Sequence, residues 1–200
     1  AIAFDAVSSG TITAGNTTAT FSHTVTGSNT IGHVSVAQQN DASGNRVTGI
    51  TWNGVAMSLV AVNVNSDNDA IYMWELVAPT TGNIVVTRTG TTNNGWCNSI
   101  SHTGAKQTSQ PDASNTKEEV DTALDINLTT TADNCWAILT AFNPEGSAIT
   151  ASTNSTERSA VTSFAKLFDN NANITPAGSY TMTVTRSGGA SQFHGVMVSI

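Results

Sequence analysis

Four histidines, two cysteines and fourteen carboxylate residues are the side chains through which this chain would do most of its chemistry. His23, His33, His102 and His194 fall in four separate strand-like segments, with no His-x-x-x-His or Cys-x-x-Cys pair. Zinc needs ligands that converge at a set geometry, so these read as ordinary strand histidines and no metal is expected. Asn63-Val64-Asn65-Ser66-Asp67-Asn68-Asp69 alternates oxygen side chains as a calcium loop does, but it lacks the loop glycine and the downstream bidentate Glu. It reads as a solvated turn between two strands.

Nucleophile and phosphate signatures are missing too: there is no Gly-x-Ser-x-Gly elbow, no P-loop and no dinucleotide glycine fingerprint. Carboxylates pair at Glu118 and Glu119 and at Asp121 and Asp125, but in or beside a polar stretch. A glycosidase would hold its pair in a cleft lined by rings. No catalytic residue, no enzyme activity and no cofactor is therefore expected. Four Asn-x-Ser/Thr matches, beginning at Asn16, Asn127, Asn154 and Asn173, are what a chain rich in Asn and Thr produces by chance.

The rings divide by neighbourhood. Trp74, Trp136 and Phe142 lie in segments apolar on both faces and are assigned to the core. Trp96 follows Asn93-Asn94-Gly95 at a strand edge, and it is the one ring assigned a ligand-stacking role, against the alternative of a core position. Cys97 and Cys135 each neighbour a Trp in a predicted strand. They face one another as a disulfide or sit as buried free thiols, and spacing leaves both readings open.

The elements that must carry these residues are strands. Apolar residues make up 38% of the chain and recur with period two, while Gly, Asn, Asp and Ser clusters interrupt them at β-sandwich intervals. Asn53-Gly54 reads as a two-residue hairpin turn, since both positions tolerate positive φ. Residues 107–119 lack apolar periodicity, contain Pro111 and end in Lys117-Glu118-Glu119, which reads as a long exposed loop dividing a single domain, 1–200, into halves. More than a dozen strands need two sheets, and the fold class expected is all-β: a two-sheet antiparallel β-sandwich of jelly-roll type.

Charged residues are only 10% of the chain, and seven Lys and Arg stand against fourteen Asp and Glu. An acidic surface built mainly of Thr, Ser, Asn and Gly repels phosphate backbones and anionic lipids, so neither nucleic acid nor membrane is expected as a partner. No apolar run is long enough to cross a bilayer. The opening Ala1, entering Ile2-Ala3-Phe4 at once, fits removal of an initiator Met or of a signal peptide.

Several segments occur in an order that resembles a known group of domains: VTGITWNGVAMSLV (47–60), IYMWELVAPTTGNIVVT (71–87), SISHTGAKQTSQPDAS (99–114), TTADNCWAILTAF (130–142) and TPAGSYTMTVT (175–185). The chain resembles a Thr- and Gly-rich, jelly-roll-like β-sandwich domain of bacteriophage structural proteins and bacterial surface proteins. Cys97 and Cys135 depart from it, standing where that group carries other small residues. The resemblance implies a non-enzymatic virion structural protein, a capsid decoration or fibre-type subunit. Its partners would be copies of itself and a larger capsid or tail protein. The alternative is a secreted or cell-surface carbohydrate-binding or adhesive module, whose partners would be surface glycans.

Overall fold

Alternation along a strand sends neighbouring side chains to opposite faces, and in this chain both faces of several strands are apolar. Such strands need a cover on each side, and the fold supplies it by stacking four sheets. The computed structural model describes residues 1–90 and 93–200, and every α-helix position among them is vacant: the regular elements are all strands. The first half holds β1 (Ala3–Ile12), β2 (Thr18–His23), β3 (Ile31–Gln38), β4 (Val47–Trp52), β5 (Val55–Ala56), β6 (Ser58–Val64), β7 (Ala70–Val77), β8 (Gly82–Arg88) and β9 (Gly95–Thr103). The second holds β10 (Ala113–Asp121), β11 (Ala123–Thr129), β12 (Ala137–Phe142), β13 (Ile149–Ala151), β14 (Thr156–Thr162), β15 (Ala165–Asp169), β16 (Ser179–Arg186) and β17 (Ser191–Ser199).

Each half is an antiparallel two-sheet sandwich. In the first, the sheet β1-β9-β3-β7-β6 faces β2-β8-β4-β5 over a core that includes Ile12, Val34, Val36, Trp52, Tyr72 and Val86. In the second, β10-β17-β12-β15-β14 faces β11-β16-β13 over Leu124, Ile126, Leu139, Phe168, Met182 and Phe193. The two five-stranded sheets then pack on each other, enclosing Ile31, Met73, Ile100, Ile138, Leu167 and Val196. Both outer faces of this central pair are used, which is why β3 is buried along its whole length.

Numbered within its own half, each five-stranded sheet has the same order: first, last, third, third from the end, fourth from the end. The likeness reaches single residues. Val86-Thr87-Arg88 closes β8 and Val184-Thr185-Arg186 closes β16, with Arg88 opposite Val47 and Arg186 opposite Ile149. Both guanidinium groups are buried and pin loops. Arg88 donates to Gln38 Oε1 and to the carbonyls of Asn16 (3.1 Å) and Asn93 (2.8 Å), and Arg186 donates to Ser147 Oγ at 2.9 Å.

One expectation needs correction. Residues 113–119 are not loop: they form most of β10, paired with β17 from Ala113 opposite Ser199 to Asp121 opposite Ser191. An edge strand draws its order from one backbone ladder, so it needs no apolar alternation, and its charges suit the open side. Lys117 Nζ bonds Glu119 Oε2 at 2.8 Å along the strand. A hairpin at Ser163-Phe164 joins β14 to β15. The Asn53-Gly54 turn takes φ of 47° and 80°, with Trp52 pairing Val55 across it.

Candidate functional site

Three of the four histidines gather in the seam between the two five-stranded sheets, because each occupies the outward face of its central strand. Register brings His33 on β3 opposite Glu75 on β7, and His33 Nε2 donates to Glu75 Oε2 at 2.9 Å. His102 on β9 reaches across to β15, where its Nε2 donates to Asp169 Oδ2 at 3.1 Å. Arg158 Nε donates to the same oxygen at 2.9 Å, and its guanidinium lies 4.4 Å from the centre of the Phe4 ring. His194 Nδ1 donates to Asn63 Oδ1 at 3.1 Å.

Asn98 completes the set of cross-links. Its Nδ2 donates to the Ala165 carbonyl at 3.1 Å, while its Oδ1 accepts from Ser159 Oγ and from the Val161 backbone. Burial pushes the His102 imidazole below its ordinary value, with the Asp169 contact opposing, and burial takes His194 down to about 3. Both rings are thus neutral near pH 7. The outer nitrogens His33 Nδ1 and His102 Nδ1 are sealed from solvent without a hydrogen-bond partner among the described residues.

The fourth histidine, His23, stands at an edge of the first sandwich, its ring 4.6 Å from that of Trp52. Proton directions there are set by Asp5. Burial would raise the Asp5 carboxyl, but hydrogen bonds from Thr26 and Ser101 outweigh it and hold the group ionised. Ser101 Oγ therefore donates to Asp5 at 2.7 Å and accepts from His23 Nε2 at 3.0 Å. His23 Nδ1 is left as an acceptor, with Ser8 Oγ at 2.9 Å and Ser99 Oγ at 2.8 Å. The order Asp-Ser-His-Ser has the form of a proton relay, but burial lowers His23 to about 4, which makes it a weak base at neutral pH. Its evident work is to join β1, β2 and β9 where the sandwich is open.

Trp74, Trp136 and Phe142 are buried. Trp96 shares a face of β9 with Asn98, Ile100 and His102, and that face meets the second half. Rather than standing free of the sheet, its half-buried ring packs 5.0 Å from Phe164 and 5.7 Å from Phe142. Cys97 belongs to the first sandwich's core and Cys135 to the second's, and both are free thiols. The disulfide reading is overturned, since two intervening sheets separate the pair. In the 63–69 turn, Asn65 Oδ1 accepts from the Asp67 and Asp69 amides, and burial raises the Asp69 carboxyl, aided by Asp67. Among the described residues no group of three or more His, Cys, Asp and Glu side chains is placed to hold a metal.

Two clefts open on the margins of the seam. One, of about 470 Å³, is lined by Ala1, Lys106, Asp112, Asp133, Cys135 and Ile200, so both ends of the chain meet at its rim. The other, of about 600 Å³, runs beside β6. Glu75, Gln110 and the seam pairs escaped notice in the sequence. The repeated Val-Thr-Arg of 86–88 and 184–186 is a trace of the two halves in the sequence, but nothing local says that their five-stranded sheets face each other. Compared with known proteins, the chain matches no family model, and no curated protein matches it.

Proposed function

We propose that the chain is a non-enzymatic structural module of a virus particle, a capsid decoration or fibre-type subunit that acts by packing on copies of itself and on a larger capsid or tail protein. The observation that carries this reading is the seam. Side chains of one half engage the other across it, His102 with Asp169, His194 with Asn63, and Asn98 with Ala165, Ser159 and Val161, locking two sandwiches into one four-layer body. A stiff body suits a part that braces a larger assembly by interfacial burial. The order β1-β9-β3-β7 over β2-β8-β4-β5 supports the jelly-roll form of the sandwich, an architecture of capsid and lectin domains alike.

Imaging of the native source by electron microscopy, with sedimentation of the purified chain, tests the proposal. Density on particles or self-association is expected. A chain that stays monomeric at high concentration and is absent from particles would sink it.

A further inference from the structure

The cleft beside β6 carries chemistry that the packing leaves unsatisfied. Its walls are Leu59, Val60, Leu76, Val77 and Pro111, and Leu59 is 45% exposed, one of few large apolar side chains on this surface. Glu75, only 6% exposed, lines the same cleft. Its Oε2 accepts from His33, while Oε1 accepts no hydrogen bond among the described residues. No Lys or Arg among the described residues lies within ion-pair distance of this carboxyl.

Glu75 is thus a nearly buried carboxyl whose one hydrogen-bond partner is a histidine and which has no Lys or Arg beside it, an arrangement that a cation entering the cleft would complete. Gln110, in the segment between the halves, lines the cleft as well. Its Nε2 donates to the Lys106 carbonyl at 3.0 Å, which orients the amide and leaves Oε1 a buried acceptor without a partner among the described residues. β6 is the terminal strand of its sheet, so one backbone edge is unpaired there.

We infer that this cleft receives a lysine side chain from an extended segment of a partner protein lying along β6. The aliphatic stem packs on Leu59, Val60, Leu76 and Val77, and the ammonium, with three donors, reaches Glu75 Oε1 and Gln110 Oε1. The net charge of −7 favours approach of a basic segment. This rests on the reading of the chain as a module that packs on a partner. Imaging tests that reading and titration tests the cleft, so the two fail separately.

The test is a titration of the ¹⁵N-labelled chain with the capped peptide acetyl-Val-Lys-Val-amide, with the norleucine peptide as uncharged isostere and n-butylamine as free amine. Saturable shifts confined to the amides of 58–60, 75–77 and 110 are expected. Glu75→Gln, which still accepts from His33, and Gln110→Ala should each weaken the lysine peptide about tenfold, and norleucine should bind about tenfold more weakly than lysine. Leu59→Thr, on the exposed rim, should weaken it severalfold without disturbing the fold. No shifts up to about 10 mM, equal binding of norleucine, or shifts elsewhere only would overturn the proposal. Butylamine binding as tightly as the peptide would overturn the extended segment, leaving a free-amine site.

Discussion

His102 Nε2 sits 3.1 Å from Asp169 Oδ2, tying a strand of one half to a strand of the other with neither side chain reaching solvent. Asp169 Oδ2 also accepts from Arg158, so one oxygen serves two donors from different strands. Removing the acceptor leaves both donors stranded in the seam, and breaking a buried pair in this way costs about 3–5 kcal/mol. Asp169→Ala should lower the unfolding free energy measured in urea by that much. Replacing His102 and Asp169 together with Leu should recover a large part of the loss. A single Asp169→Ala loss below about 1 kcal/mol would remove the strut from the account.

Acid should weaken the fold before the carboxylates begin to titrate. His23, His102 and His194 are all held below the ordinary value of 6.5, His23 to about 4 and His194 to about 3. The unfolded chain takes protons at these positions near pH 6.5 while the folded chain refuses them. Their contribution is thus complete above pH 6.5 and is lost as pH falls toward 4. The slope approaches about 1.4 kcal/mol per pH unit for each such histidine. Urea unfolding at pH 7, 6, 5 and 4.5 measures it, and His194→Phe should flatten the curve by one histidine's share.

The thiols should be inert. Burial pushes Cys97 up to about 12 and Cys135 up to about 11. A maleimide should label neither in the native chain within minutes at pH 7, and both after unfolding. The melting temperature should be the same with and without reductant. A mass loss of two hydrogens under oxidising conditions in the folded monomer would contradict the placement in separate cores.

Arg88 gathers Gln38, the turn after β1 and the segment before β9 onto one buried guanidinium. Arg88→Met fills similar volume but strands those carbonyls, and should cost on the order of 3 kcal/mol. Arg88→Lys should recover little of it, because one ammonium cannot span a fork of acceptors. Hydrogen exchange should rise first at 13–17. An unchanged melting temperature in Arg88→Met would remove the pin.

Trp96 separates two uses of the same ring. Packed on Phe164 and Phe142, it should lose on the order of 3 kcal/mol of stability as Trp96→Ala. Its fluorescence should not respond to neutral oligosaccharides at millimolar concentration. A saturable response, abolished in the variant, would favour the adhesive alternative.

Much of the architecture was legible because the code for it is local. Period-two segments located most strands, and Asn53-Gly54 announced its turn through the φ those two residues permit. β10 escaped because an edge strand takes its order from the partner's backbone, and Lys117, Glu118 and Glu119 are the residues that a free edge tolerates. The second sandwich was not legible: residues 1–200 read as one sandwich, and the echo of 86–88 in 184–186 is only three residues long. Topology repeats there while side chains diverge: Cys97 pairs with Val36 in the first sandwich's five-stranded sheet, whereas Phe193 lies in the same central strand position of the second.

By itself the sequence determined the class of structure: antiparallel strands with two apolar faces, a surface of neutral polar groups and an acidic balance. These follow from alternation and composition, which need no knowledge of distant neighbours. Tertiary structure alone decided that Cys97 and Cys135 lie apart, that Trp96 turns into the seam, and that His102 finds Asp169 across 67 residues of chain. Those outcomes depend on which sheet face meets which, and that is set by registers and stacking between segments far apart in the chain.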